Sequence, residues 1–303
     1  GSLMERKSPK QWLLVWGGIL VVFAAVALLL RAGADERTAG GVIPFSEGKE
    51  AVGVVKVEGA IMEADQFLKD LKELDENERV KAIVVRIDSP GGAVAPSQEM
   101  YEAVRRIRDK GAKPVVVSMG NLAASGGMYL AVAGQKIYAA PGTLTGSIGV
   151  IMQTPNLRGV YDKVGFDMTV IKSGKFKDVM SPSREMTAEE RALVQDVVDH
   201  VHGQFIRAVA EGRHLDEAQV RTIADGRFFT GEQAKEYGLV DELGHLQDAI
   251  DEAARLAKID GEPKVIYPKK PKRTLQEWLT EESASMVSRV MGVRFTPTLE
   301  FLP

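Results

Sequence analysis

Three valine-rich runs, separated by helical patterns, constrain the fold of this chain of 303 residues more than any other feature. The runs cover residues 52–57, 82–87 and 114–119, and each has the length and composition of a buried strand. Residues 65–75 and 97–108 lie between the runs and carry apolar side chains at helical spacing. This alternation of strand and helix predicts right-handed βαβ units around a parallel sheet, which is an α/β fold.

Shorter patterns predict further elements in the second half of the chain. Three short strands and then two long helices are expected at residues 136–139, 149–152, 168–171, 187–211 and 245–258. Residues 228–241, FFTGEQAKEYGLVD, indicate the end of a strand, a helix and a turn. Because no repeat of fixed period is visible, residues 51–262 are interpreted as one folded domain.

The third run leads into NLAASGGMYLA, residues 121–131, at a predicted junction between a strand and a helix. Ser125 stands there with only alanine and glycine on either side. A substrate carbonyl can approach such a hydroxyl closely, and the backbone N–H groups that follow it point towards the carbonyl oxygen. Two interpretations stay open on these residues alone, because Ser125 is either a nucleophile or an ordinary helix N-cap.

A second glycine-rich turn, DSPGG at residues 88–92, follows the neighbouring run. The carboxyl ends of adjacent parallel strands meet at one edge of a sheet, where binding sites form. One turn can therefore supply a nucleophile and the other a backbone N–H, which makes Gly92 and Gly126 candidate oxyanion donors. Since Pro-Gly is also a common turn dipeptide, DSPGG taken alone is equally consistent with a simple turn.

A nucleophilic serine needs a base, and no histidine lies near Ser125 in the sequence. The four histidines stand at positions 200, 202, 214 and 245 and are interpreted as solvated polar residues. A desolvated lysine is the alternative, because burial disfavours the ammonium form and leaves a neutral base near pH 7. Lys172, Lys175 and Lys177 all follow a predicted strand, and the residues alone do not choose among them or exclude ordinary surface charges.

The composition narrows the chemistry further. The absence of cysteine excludes disulfides, thiolate metal sites and a cysteine nucleophile. His200 and His202 do not share a helix face, so neither a metal site nor a cofactor is expected. The formal net charge of −3 gives no indication of a nucleic-acid surface.

An uncharged run of nineteen residues, 12–30, predicts a transmembrane helix. Such a helix spans about 28 Å, which is close to the thickness of the hydrocarbon core. Basic residues within the segment 1–11 place that segment in the cytoplasm, so the main domain is expected across the cell membrane. A cleaved secretory signal is the alternative, because residues 32–34 resemble a cleavage site.

Segments on both sides of the domain are expected to lie outside its fold. Residues 1–3 resemble a vector-derived remnant, and residues 31–50 are a linker rich in glycine, alanine and charge. Residues 263–303 combine a basic linker, an amphipathic helix at 275–291 and an apolar, extended tail at 295–303. The tail either occupies the substrate groove as a product-like segment or is a disordered, lipid-contacting terminus.

Three sequence blocks make a family resemblance specific. They are VVVSMGNLAASGGMYLA, PGTLTGSIGVIM and IKSGKFKDVMSPSREMT, at residues 115–131, 141–152 and 171–187. In this order they resemble the signal peptide peptidase A family, over approximately residues 52–248. DSPGG and FFTGEQAKEYGLVDE are shared more loosely with Clp proteases and crotonases. The resemblance implies their superhelix of repeated ββα units, preceded here by the transmembrane helix.

The resemblance also implies a set of site residues. Ser125 matches the nucleophile and Lys177 the general base, whereas the two lysines before it do not match the motif. Ser147, in TGSIG, matches a serine that orients the lysine. Gly92 and Gly126 match the oxyanion positions.

The implied function is that of a membrane-anchored serine endopeptidase that degrades signal peptides left behind by secreted preproteins. This chain carries one copy of the domain, so it resembles the short form, which assembles into a ring, expected to be an octamer. We expect each site to combine Ser125 of one protomer with Lys177 of the next. The alternatives are a crotonase-like acyl-CoA enzyme and a catalytically silent membrane scaffold. Asp225 resembles the acid of a Clp-type triad and, without a histidine, is expected to be structural.

Overall fold

The computed structural model describes residues 50–269 and the backbone of residues 299–301. The predicted transmembrane segment 12–30 and the predicted amphipathic helix 275–291 lie outside the described residues. Among the helices that are described, none combines the length and the apolar character needed to span a bilayer.

The described part of the chain alternates strands and helices. The strands are β1 (Ala51–Glu58), β2 (Val80–Ser89), β3 (Gly92–Ala93), β4 (Val115–Ala124), β5 (Lys136–Ala139), β6 (Leu144–Gly146), β7 (Ile151–Met152), β8 (Phe228–Thr230), β9 (Glu242–Leu243), β10 (Lys264–Ile266) and β11 (Leu299–Phe301). The helices are α1 (Asp65–Glu76), α2 (Val94–Lys110), α3 (Gly126–Ala131), α4 (Arg158–Val164), α5 (Ala188–Arg213), α6 (Glu217–Arg221), α7 (Gly231–Glu236) and α8 (Leu246–Leu256).

The main sheet has the strand order β10-β1-β2-β4-β5-β9, and all neighbours along this path are parallel. Strand β6 pairs in parallel with the end of β4, and β8 pairs antiparallel with β6. Parallel neighbours require crossovers, which α1 and α2 supply between β1, β2 and β4. The α/β class and the parallel sheet are therefore confirmed, and the ββα superhelix stays a prediction.

Both faces of the central strands are buried, which explains why the valine runs do not alternate with polar residues. On one face, Val85 and Val117 belong to the large cluster that includes α1, α2 and α3. On the other, Val84 and Val116 pack in a smaller cluster with residues of α8 such as Ala253. A strand in this environment can be recognised from its sequence because every position favours an apolar residue.

An irregularity between β2 and β4 sets the position of the turn that follows β4. Ile87 pairs with Met119, but the next pair is Ser89 with Ala123, so β4 bulges between them. The Asp88 carboxylate accepts a hydrogen bond from the backbone N–H of Leu122 at 3.1 Å within this bulge. The two glycine-rich turns consequently lie at the same carboxyl edge of the sheet, as predicted.

Two expectations for the middle of the chain are corrected. Residues 168–171 form no strand, so that prediction is wrong, and the strand expected at 149–152 is reduced to β7. Ile171 is 96% exposed, and Met168 and Val170 are also exposed. Their apolar alternation is typical of a half-buried strand, but nothing in the described part of the chain covers them.

Candidate active site

Ser125 occupies a strained turn between β4 and α3. Its φ of 53° and ψ of −114° lie outside the regions that residues other than glycine normally adopt. Two backbone hydrogen bonds hold this conformation, from Ser125 N to Gly146 O at 2.9 Å and from Tyr129 N to Ser125 O at 2.8 Å. A serine on a strained turn from strand to helix is typical of a nucleophile, because the turn presents the hydroxyl at the sheet edge.

The Ser125 hydroxyl is buried and has no hydrogen-bond partner among residues 50–269. The residue is 0% exposed, and Oγ makes no hydrogen bond to any described residue. It also makes no capping hydrogen bond to α3, so the interpretation of Ser125 as an ordinary N-cap is wrong. Since buried hydroxyls are normally hydrogen-bonded, an unpaired one marks a position where a further group is required.

Gly126 and Gly92 lie close to each other beside Ser125, and neither position has room for a side chain. A Cβ at Gly126 would lie 2.6 Å from Ser97 Oγ and 3.2 Å from Gly92 N. A Cβ at Gly92 would lie 2.0 Å from the carbonyl oxygen of Ile61. Two backbone N–H groups next to a serine hydroxyl can stabilise the oxyanion of an acyl-transfer intermediate.

Ser147 lies in the same region, because it directly follows Gly146, whose carbonyl oxygen accepts the hydrogen bond from Ser125 N. It follows Gly146 at the end of β6, has a φ of 49°, and is 3% exposed. Its backbone N–H donates to Arg227 O at 2.8 Å. The side chain of Arg227 pairs with Asp225, which agrees with the structural role expected for that carboxylate.

The three candidate lysines differ in their contacts. Lys172 donates to a carboxylate oxygen of Asp178, and Lys175 forms an ion pair with Glu189. Lys177 is exposed and makes no side-chain hydrogen bond or ion pair within residues 50–269. The structure therefore does not connect Lys177 to Ser125 of the same chain.

The described part of the tail forms a strand next to Gly92. β11 pairs antiparallel with β3 and with β7, so Phe301 lies opposite Gly92 and Leu299 opposite Met152. The extended conformation expected for the tail is confirmed for these three residues. β11 therefore adds a strand to the edge that β3 and β7 form.

Sequence reasoning missed several side chains that support these groups. Ser97 is fully buried under Gly126 and donates to Ala93 O at 2.9 Å. Arg184 bridges Asp178 and Glu190 near Lys177. Only Glu190 had a sequence signal, because Thr187 and Glu190 have the spacing of a capping box. Within residues 50–269 and 299–301, no cluster of histidine and acidic residues could hold a metal ion.

A strained, buried serine beside two backbone N–H groups fits a serine hydrolase. The sequence profile of peptidase family S49 matches residues 107–260, and the profile of Clp protease matches residues 53–145. The chain therefore belongs to peptidase family S49 and is a serine peptidase. This membership favours a peptidase over a crotonase-like enzyme.

Individual relatives agree with this membership. The chain is 45% identical to a candidate protease of Synechocystis sp. over 220 residues. The aligned region covers 72% of this chain and 78% of that protein. It is 36% identical to a candidate signal peptide peptidase SppA of Enterococcus faecium, over 72% of this chain and 63% of that protein. It is 35% identical to protease 4 of Salmonella typhi, over 69% of this chain but only 35% of that protein.

Proposed function

We propose that this peptidase cleaves peptide bonds with a Ser–Lys pair in which Ser125 is the nucleophile and Lys177 the general base. The observation that carries the proposal is the Ser125 hydroxyl, which is buried, unpaired among the described residues and held on a strained turn. Strain and an unpaired polar atom both cost free energy, and a reactive group accounts for both. Lys177 is the candidate lysine that no described carboxylate engages.

The chemistry begins when neutral Lys177 accepts the Ser125 proton and Oγ attacks the peptide carbonyl. The N–H groups of Gly92 and Gly126 donate to the resulting oxyanion, a contribution worth about 3–4 kcal/mol per donor. Protonated Lys177 then gives its proton to the leaving amine, and an acyl-enzyme remains on Ser125. Water activated by the same lysine hydrolyses this ester and restores both groups. The Ser147 hydroxyl orients the lysine in this scheme.

The site is assembled between two copies of the chain. Ser125 Oγ has no partner in the described part of its own chain, whereas Lys177 is exposed. The segment before Lys177 carries an unusual number of exposed apolar side chains, including Val164 at 70% and Phe166 at 53%, and α4 within it has no buried residue. Such a surface favours a protein partner. A head-to-tail contact of this kind closes into a ring, for which we expect eight subunits.

The substrates proposed here are extended, apolar peptides, with remnant signal peptides as the physiological class. The pairing of β11 beside Gly92 supports recognition by strand addition, in which main-chain hydrogen bonds bind an extended segment. The apolar run at residues 12–30 would anchor the enzyme in the cell membrane with its catalytic domain on the extracytoplasmic side. This location would bring the site close to peptides released during secretion.

A fluorophosphonate probe, which reacts with activated serines, tests the nucleophile directly. We expect the full-length protein to be labelled and Ser125→Ala to lose the label completely, because the Ser125 hydroxyl lies beside the backbone N–H groups of Gly92 and Gly126. Ser118→Ala is the matched control. Ser118 is a buried serine on β4, and its hydroxyl accepts a hydrogen bond from Arg86. Labelling of Ser125→Ala at the normal rate would contradict the proposal, as would an unlabelled parent protein.

Removal of residues 296–303 is expected to raise peptidase activity several-fold. The tail strand β11 pairs with β3 and β7, where a substrate strand would bind, and a tethered competitor has a high effective concentration. Hydrolysis of a fluorogenic apolar peptide by the truncated and full-length proteins measures the effect. The synthetic peptide TPTLEFLP, which reproduces residues 296–303, should then inhibit the truncated form competitively. Equal activity of the two forms would show that the tail does not compete.

A further inference from the structure

Lys177 stands on a turn whose backbone–backbone hydrogen bonds are local among the described residues, while the Thr154 hydroxyl donates to Met180 O at 3.0 Å. Residues 173–180 form successive bends and turns, closed by local bonds such as Lys177 N to Gly174 O at 3.2 Å. Met180 in this segment has a φ of 67°, a backbone conformation that residues other than glycine rarely adopt. A general base has to be held within a fraction of an ångström of its target, so side-chain contacts must fix this turn.

Asp178, the residue after Lys177, is held by two cations. Its Oδ2 accepts a hydrogen bond from Arg184 Nε at 3.0 Å, and its Oδ1 accepts one from Lys172 Nζ. The Asp178 side chain is only 13% exposed. Arg184 and then Lys172 hold the pKa of this carboxyl well below its usual range, so it is charged at every pH at which the enzyme can be assayed.

Arg184 connects Asp178 to a second carboxylate through the two terminal nitrogens of its guanidinium. Its Nη1 donates to Glu190 Oε2 at 2.8 Å, and its Nη2 donates to Glu190 Oε1. This two-pronged contact leaves Nε free for Asp178. The planar fork of arginine can hold both carboxylates at once, whereas the ammonium of a lysine is a single point of charge.

Glu190 is fixed in turn to the start of α5. Its side chain is 6% exposed, and Oε2 accepts a hydrogen bond from Thr187 N at 2.8 Å as part of a capping box. Arg184 and then the Thr187 backbone lower the pKa of Glu190 to about 2. The same helix enters the core, where Phe205 is fully buried and its ring centre lies 4.9 Å from that of Tyr129. The helix therefore offers a rigid anchor.

We propose that Arg184 is a positioning residue for the general base, because it clamps the turn bearing Lys177 to the first turn of α5. The inference rests on the proposed role of Lys177 and deepens it. Asp178 and Glu190 remain ionised throughout the assay range, so the clamp does not titrate there.

The test compares Arg184→Gln with the parent enzyme, both as full-length oligomers. We expect kcat to fall about 10–100-fold, the loss typical of a misplaced catalytic group, while KM changes less than about twofold. A fall in kcat at an almost unchanged KM and an unchanged unfolding temperature separates a positioning role from a structural one. Arg191→Gln is the matched control, since Arg191 is exposed on the same helix and should behave like the parent.

Three outcomes would overturn the inference. The first is an unchanged kcat in Arg184→Gln, and the second is a lower kcat accompanied by an equally large change in KM or a lower unfolding temperature, which would indicate a structural role only. If Arg184→Gln does not fold, Asp178→Asn removes the other end of the clamp and must show the same loss of kcat, so a normal kcat in Asp178→Asn is the third. An active Lys177→Ala would instead refute the proposed function, independently of any result at Arg184.

Discussion

Lys177→Ala is expected to lose peptidase activity almost completely, by about 10⁴-fold or more in kcat, because removal of one member of a catalytic pair leaves the nucleophile unactivated. The fold should remain intact, since Lys177 is exposed and contacts no polar partner within residues 50–269. Thermal unfolding and elution of the oligomer would verify this.

Lys175→Ala is the matched control for this experiment. Lys175 lies two positions away on the same turn and pairs with Glu189 on the surface, so its removal should leave activity within about twofold of the parent. The double variant Ser125→Ala/Lys177→Ala should be no less active than either single variant, because the two groups act in one step. If Lys175→Ala loses activity and Lys177→Ala remains active, Lys177 is not the general base.

Co-assembly of Ser125→Ala and Lys177→Ala subunits is expected to restore activity that neither variant has alone. A Lys177→Ala subunit keeps its serine, and a Ser125→Ala subunit keeps its lysine. In a ring with one site per interface, random assembly of equal amounts makes about a quarter of the interfaces complete, which predicts about a quarter of the parent activity. Subunits with different affinity tags, refolded together and purified through both tags, provide the mixed oligomers for the measurement.

The control replaces one partner by the double variant, which supplies neither group and should restore nothing with either single variant. Mixed oligomers that carry both tags but remain inactive would show that each site is complete within one subunit. That result would assign the exposed apolar surface around α4 to another role, while the Ser125 chemistry could still hold. The probe experiment and the mixing experiment thus test different parts of the proposed function.

The fold could be predicted from the sequence where local pattern and burial agree. The runs that became β1, β2 and β4 are apolar at nearly every position because both faces of the sheet are covered. The alternating pattern at residues 168–171 also favours a strand, but a strand needs a neighbour to pair with, and the sequence does not reveal neighbours. Helix α4 was missed because none of its residues is buried, so it has no apolar stripe facing the core.

The site divides in the same way. Ser125, Gly92 and Gly126 could be singled out because small residues after adjacent strands have a local signature. The strained φ of Ser125 has no local signature in the sequence. It depends on the bulge in β4 and on the hydrogen bond from Ser125 N to the carbonyl oxygen of Gly146. The contacts of Arg184 have no local signature in the sequence either, since they join three segments of the chain. Such contacts depend on tertiary structure rather than on spacing in the sequence.

The edge formed by β3 and β7 has a consequence for how substrates reach the enzyme. β11 lies there as a fully extended segment, and a strand of this kind exposes main-chain groups that a helix keeps bonded to itself. If substrates bind at this edge as added strands, as proposed, a helical peptide in a bilayer has to unwind before it can be cut, and unwinding within lipid costs several kcal/mol for each unpaired backbone group. Helix-breaking residues should thus speed the destruction of a membrane-embedded peptide without touching the enzyme, and proteins that stay folded should be spared.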